Sequence, residues 1–330
     1  MGTQFSGRFD RMPTKEVTMF DKILFSTTVS PSCDDAASVA FDLAKKYNSR
    51  LFVLHVLGFP TREFSHYVVD FKTGKSEQLS PDYVERIREE IKTTYSKQLA
   101  ETPNHVIDTM AGVPHTEVLR LARKENVDLI VMGAHTRQDE VGAARYRKIV
   151  GSTMQQVAKR ARCPVLIVSR PCTTCFWYFS NVVVATDFTK ASMSAFLFAV
   201  KVAKEIQCKL HLFHALDLSS AYAGRTPEQA EIEEKVKEAK KKFEELYVPK
   251  MDGVVFDIQV WEGIPYVEIL KFARERNADL IVMAHHTKET DPEKALLGST
   301  VEQVVLRSTC PVASVNHPDK LTESSSRQDA

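Results

Sequence analysis

Cysteine is scarce in this chain, six in 330 residues, which excludes a disulfide-dense secreted scaffold. Long apolar runs are missing too: no stretch approaches the roughly 18–20 residues of a membrane span. The opening MGTQFSGRFDRMPTK lacks the apolar run that a signal peptide carries. Nor is there a surplus of one charge, since 44 Lys and Arg face 43 Asp and Glu for a net +1. A surface that tracks a polyanion leaves a stronger basic imbalance, so general nucleic-acid binding is disfavoured. These absences lead us to expect a cytoplasmic protein with no membrane association.

Two phosphate-binding signatures are also lacking. Neither GxxxxGKS/T nor a GxGxxG after a first strand occurs, which argues against P-loop and standard dinucleotide-binding readings. HExxH is absent, and no metal site is expected.

What is present is a chain that repeats itself. The hydrophobic fraction of 43% and the length suit about two domains, each able to bury a core. GVPHTEVLRLARKENVDLIVMGAH from Gly112 aligns without gaps to GIPYVEILKFARERNADLIVMAHH from Gly263, with thirteen of 24 positions identical. GSTMQQVAKRARCPV from Gly151 matches GSTVEQVVLRSTCPV from Gly298 at nine of 15. FDKILFSTTVS from Phe20 has its counterpart in FSNVVVATDFT from Phe179, and VLHV at Val53 in LFHA at Leu212. Four blocks in the same order mean domain duplication.

Each repeat alternates apolar strand runs with helical periods. Two doubly wound Rossmann-like α/β domains follow, each a five-stranded parallel sheet flanked by helices. Ser30 is expected to cap the first helix, with Pro31 in its first turn. Residues 58–80 read as a long loop, and one charged helix is expected from Pro81 to about residue 101.

Ligands of such sheets bind beyond the carboxyl ends of the strands, and helix N-termini there favour anions. In the first repeat this points to Thr28, Val56, Gly133, Gly151, Ser152 and Thr153. In the second it points to Asp187, Ala215, Met283, Ala284, Thr287, Gly298, Ser299 and Thr300. The Ser and Thr hydroxyls there serve either a phosphate or the helix cap. His55 and His214, and His135 and His286, recur at matched places and read as structural histidines, the latter two on the ligand side. Cys163 and Cys310 precede Pro in apolar surroundings and read as core. Cys172 and Cys175 form a Cys-x-x-Cys beside four aromatic residues, read as linker packing or a redox-sensitive pair.

LIVMGAH with GST and CPV resembles the universal stress protein family, here in tandem. The resemblance covers a first domain at 18–170 and a second at 179–317, leaving an aromatic Cys-x-x-Cys linker at 171–178 and a flexible tail at 318–330. It implies domains that pair through their last strands: an internal pseudo-dimer through 164–169 and 311–316, and a possible homodimer of the whole chain. Nucleotide-binding members of the family carry an Asp ending the first strand and a G-x-x-G, nine residues, G-S/T motif after the fourth.

Carried over, the Asp position is Thr28 in the first repeat and Asp187 in the second. Gly133 keeps the first motif glycine, Thr136 replaces the second, and fourteen residues precede Gly151. Ala284 and Thr287 replace both glycines in the second repeat, and ten residues precede Gly298. Glycines there would permit positive φ and close phosphate approach. The function implied is a stress-response protein that binds a small ligand, ATP or another adenine nucleotide, with Mg²⁺ only alongside it. Alternatives are a nucleotide-independent adaptor for an unidentified regulatory protein, with loops 58–80 and 136–150 as its surfaces, and a slow ATPase or nucleotidyl-transfer enzyme. No catalytic residue is assigned.

Overall fold

In the computed structural model, residues 19–59, 65–70, 74–134, 152–169, 179–218, 227–285 and 299–316 are described. The first half contributes strands β1 (Lys22–Thr27), β2 (Arg50–Gly58), β3 (Tyr67–Val69), β4 (Ser76–Gln78), β5 (His105–Gly112), β6 (Leu129–Gly133) and β7 (Val165–Val168). Its helices are α1 (Asp34–Tyr47), α2 (Pro81–Thr94), α3 (Ser96–Glu101), α4 (Pro114–Glu125) and α5 (Ser152–Arg160). The second half has β8 (Asn181–Ala185), β9 (Lys209–Leu216), β10 (Phe256–Glu262), β11 (Leu280–Met283) and β12 (Val312–Ser314). Between them run α6 (Lys190–Ile206), α7 (Gln229–Leu246), α8 (Pro265–Glu275) and α9 (Ser299–Arg307).

Each half holds five parallel strands, in the orders β5-β2-β1-β6-β7 and β10-β9-β8-β11-β12. The apolar runs form these strands because both faces of the sheet are covered. Ile23 and Phe25 of β1 enter one core cluster while Leu24 enters the other, as alternation along a strand requires.

Each half was expected to hold its own five-stranded sheet, paired with the other through 164–169 and 311–316; the structure makes that pairing and so joins the two into one sheet rather than two separate ones. β7 and β12 pair antiparallel, Val312 opposite Ile167, Ala313 opposite Leu166 and Ser314 opposite Val165, giving a single mixed sheet of 12 strands among the described residues. Each last strand would otherwise present an unpaired edge, and mutual pairing satisfies those backbone groups. Both core clusters continue across the joint. The Asn316 side chain also crosses it, donating to the Ala158 carbonyl at 2.7 Å and accepting from His285 N–H at 2.9 Å.

Three local readings change. Residues 58–80 contain the antiparallel β3–β4 hairpin, with Val69 paired to Gly58 of β2. The charged helix breaks at Tyr95, whose backbone leaves helical geometry while its ring packs against Phe25 and Phe41. Burying that ring outweighs helix continuity. Ser30 makes no side-chain cap and instead exchanges hydrogen bonds with the hydroxyls of Thr28 (2.9 Å) and Ser32 (2.8 Å); α1 begins at Asp34, after a 3₁₀ turn.

The halves also differ at the amino end of the sheet. Phe52 and Val106 are neighbours on β2 and β5, and the matching positions on β9 and β10 hold His211 and Asp257. His211 Nδ1 donates to the Asp257 carboxylate at 2.8 Å, and Lys209 approaches the same carboxylate at 3.2 Å.

Candidate functional site

β8 ends at Ala185, level with Phe213 of β9 and Met283 of β11. Asp187, Ala215 and Ala284 therefore emerge together at the carboxyl end of three adjacent strands. Thr28, Val56 and Gly133 do so in the first half, one residue beyond the register pairs Thr27–His55 and Ser26–Met132. The sequence expectation put these residues at one end of the sheet, and the topology brings each set together.

The turn after β8 is held by Thr186 and Tyr247, which the sequence reading passed over, and by His214, which it read as a structural histidine. Thr186 Oγ1 accepts from Phe188 N–H at 3.0 Å and shares a hydrogen bond with Tyr247 Oη at 2.6 Å. The Thr186 carbonyl accepts from His214 Nδ1 at 2.8 Å. A carbonyl can only accept, so Nδ1 carries the proton and Nε2 is left as an acceptor. Burial depresses the His214 pKa, only partly offset by its bond to Thr186 and the nearby Asp187 charge, and favours that neutral form.

The first half repeats the arrangement. Thr27 Oγ1 lies 2.8 Å from Tyr95 Oη and accepts from Val29 N–H at 2.9 Å, while His55 Nδ1 donates to the Thr27 carbonyl at 3.0 Å. Val29 (φ 56°) and Phe188 (φ 63°) both adopt the left-handed conformation, costly for bulky side chains and sustained here by these bonds. The paired threonines, histidines and tyrosines were a possible signal. It is weak because Tyr95 follows Thr27 by 68 residues and Tyr247 follows Thr186 by 61.

On this shared frame the halves carry different chemistry. Asp187 Oδ1 accepts from Thr189 N–H at 3.1 Å, Thr189 Oγ1 at 2.6 Å and Ser192 Oγ, which fixes an exposed carboxylate at the strand end. Thr28, Ser30 and Cys33 stand in the corresponding places, with Thr28 Oγ1 2.9 Å from Ser30 Oγ and 3.4 Å from Cys33 Sγ. Phe188 packs on His214 with ring centroids 4.6 Å apart, and the Lys242 ammonium lies 5.5 Å from the Phe188 ring.

Gly133 is needed for a reason other than positive φ. A Cβ on it would lie 2.9 Å from the Ser32 carbonyl, so glycine lets the β6 end pack against the turn after β1. Met283 is buried, whereas Ala284, Ala215 and Val56 are half-buried. Ser299 and Ser152 open α9 and α5; Ser152 is exposed, and Thr300 and Thr153 are half-buried. Thr287, Gly298 and Gly151, together with His135, His286, Cys172 and Cys175, lie outside the described residues.

Cys33, Cys163, Cys208 and Cys310 are buried, and burial pushes the pKa of Cys310 up to about 11. Among the described residues no group of three or more His, Cys, Asp or Glu could hold a metal ion. No helix among them is long and apolar enough to cross a membrane.

Known proteins share this fold. A universal stress protein of Archaeoglobus fulgidus superposes with a TM-score of 0.62 at 21% identity, covering 91% of this chain and 97% of that one. In sequence, a universal stress protein of Methanocaldococcus jannaschii is 33% identical over 152 residues, 43% of this chain and 85% of the relative. A second from that organism is 30% identical over 166 residues, 46% of this chain and 96% of the relative. Each sequence match thus amounts to about one half of the present chain. The profile of the universal stress protein family matches twice, at residues 19–169 and 179–316, and the chain belongs to that family.

Proposed function

We propose that the second half binds an adenine nucleotide and that the protein acts in a stress response by binding rather than by rapid turnover. The observation that carries this is Asp187, an exposed carboxylate pinned by Thr189 and Ser192 at the end of β8. As an acceptor it suits the amino and hydroxyl donors of an adenosine and repels phosphate. The base and ribose would then lie near Asp187 and Ala215, with the phosphates and their Mg²⁺ toward Ala284 and the amides at Ser299 and Thr300. Partial positive charge at the α9 N-terminus supports that orientation.

Asp187 is bonded into the turn that it supports, and burial weakens His214 as a base, so neither is a strong general base. Hydrolysis, if it occurs, is slow. The described cysteines are buried and few, which suits a reducing, cytoplasmic setting.

Native mass spectrometry of the full chain with ATP and Mg²⁺ tests this reading. Bound nucleotide that is lost in Asp187→Ala supports it. No nucleotide bound at millimolar concentration rejects it.

A further inference from the structure

β1 stops at Thr27, level with His55 of β2, but β2 runs on to Gly58. One flank of Gly58 pairs with Gly112 of β5. Val69 of β3 must take the other flank, the one that β1 occupies lower down. The β3–β4 hairpin therefore stands in the prolongation of β1, at the strand end where Thr28 and Val56 emerge.

It is anchored there. Val68 is 0% exposed and belongs to the apolar cluster that includes Val29 and Leu57. The Tyr83 hydroxyl of α2 donates to Asp70 Oδ2 at 3.0 Å, and Leu79 N–H donates to the His66 carbonyl at 2.8 Å.

Matched residues at the two strand ends differ in one direction. Val29 is 5% exposed and His55 6%, whereas Phe188 and His214 are half-buried; Thr28 is half-buried, whereas Asp187 is exposed. The connecting chain differs too, twenty-two residues between β2 and α2 (59–80) against twelve between β9 and α7 (217–228).

We propose that the hairpin is a built-in occupant of the first half's ligand crevice. It shuts nucleotide out of the Thr28, Val56 and Gly133 end, so the chain takes one nucleotide, and detaching the hairpin opens a second place to a first half given the acid by Thr28→Asp. This rests on the second-half reading above and adds a regulation to it.

The test counts ATP per full-length chain by native mass spectrometry with Mg²⁺. Wild type should carry one and Asp187→Ala none. Thr28→Asp, which supplies the acid that the first half lacks, should leave both counts unchanged while the hairpin is in place, and adding the replacement of residues 59–80 by the 217–228 segment should raise them to two and one. The pair Val68→Asp and Tyr83→Phe, which keeps the chain length, should do the same and serves if the shortened chain does not fold. Folded hairpin variants that bind no more than their parents overturn the inference and leave the second-half site standing. Two nucleotides on wild type also overturn it. A wild-type chain that binds none removes the second-half reading and this inference together.

Discussion

Tyr247 Oη sits 2.6 Å from Thr186 Oγ1, so a side chain just past the end of α7 anchors the turn that carries Asp187. Tyr247 is fully buried, and its hydroxyl titrates above the ordinary tyrosine value chiefly because of that burial. Tyr247→Phe leaves the ring packing intact and removes one buried hydrogen bond. We expect a loss of about 1 kcal/mol in urea unfolding, with weaker nucleotide binding because Phe188 and Asp187 share the loosened turn. An unchanged unfolding midpoint would show that the bond is dispensable.

Gly133→Ala should be the costlier of two reciprocal changes. The added Cβ meets backbone, the Ser32 carbonyl at 2.9 Å, and backbone cannot swing aside as a side-chain tip can. Overpacking of this kind costs about 1–3 kcal/mol. Ala284→Gly, at the aligned position of the second half, removes a half-buried methyl and should cost less. Thermal melts of the two variants compare them directly, and an equal drop would contradict the packing role given to Gly133.

The His211–Asp257 pair makes stability depend on pH. Burial lowers the His211 pKa below its unfolded value, despite the opposing hydrogen bond and charge of Asp257. Unfolded chains then take up the proton more readily, so stability is full above about pH 6.5 and declines as pH falls through that value toward the folded pKa. His214, also depressed by burial, acts in the same sense. Asp257 is held below its ordinary range, burial being outweighed by His211 and Lys209, so its contribution is lost only under stronger acid. Replacing the pair with the first half's solution, His211→Phe with Asp257→Val, should flatten the decline between pH 7 and pH 5 (about two units around the His value). The comparison is made by denaturant titration across that range, and an unaltered slope would assign the effect elsewhere.

Asn316→Ala removes the bond that its amide makes across the joint, to Ala158, and a second bond within its own half, from His285. The buried β7–β12 pairing remains, so the chain should still fold, with a loss of about 1–3 kcal/mol. Less cooperative unfolding, seen as a split calorimetric transition, is the expected signature. One sharp transition at the wild-type temperature would count against this role for Asn316.

Much of this architecture is legible from residue patterns. The runs around Ile23, Val182, Leu129 and Leu280 are apolar enough to be strands buried on both faces, and the four repeated blocks give the duplication directly. The hairpin is not legible, because Tyr67–Val69 and Ser76–Gln78 are three-residue strands without a period of their own. Tyr95 reads as one more residue in a charged helix, and only tertiary contact with Thr27 reveals it as an anchor. Asp187 was recognisable at the strand end. Its clamp by Thr189 and Ser192 depends on how the chain turns into α6, which no local pattern specifies.

The pairing of β7 with β12 has a consequence for how the two strand ends can diverge. In an assembly of identical subunits, any substitution appears at every copy of a site. Here the subunit contact is sealed within one polypeptide and persists at any dilution. Thr28 could therefore arise opposite Asp187, and a roof could be added over one crevice, while the other kept its acid. Covalent duplication turns a symmetric contact into a licence for unequal partners.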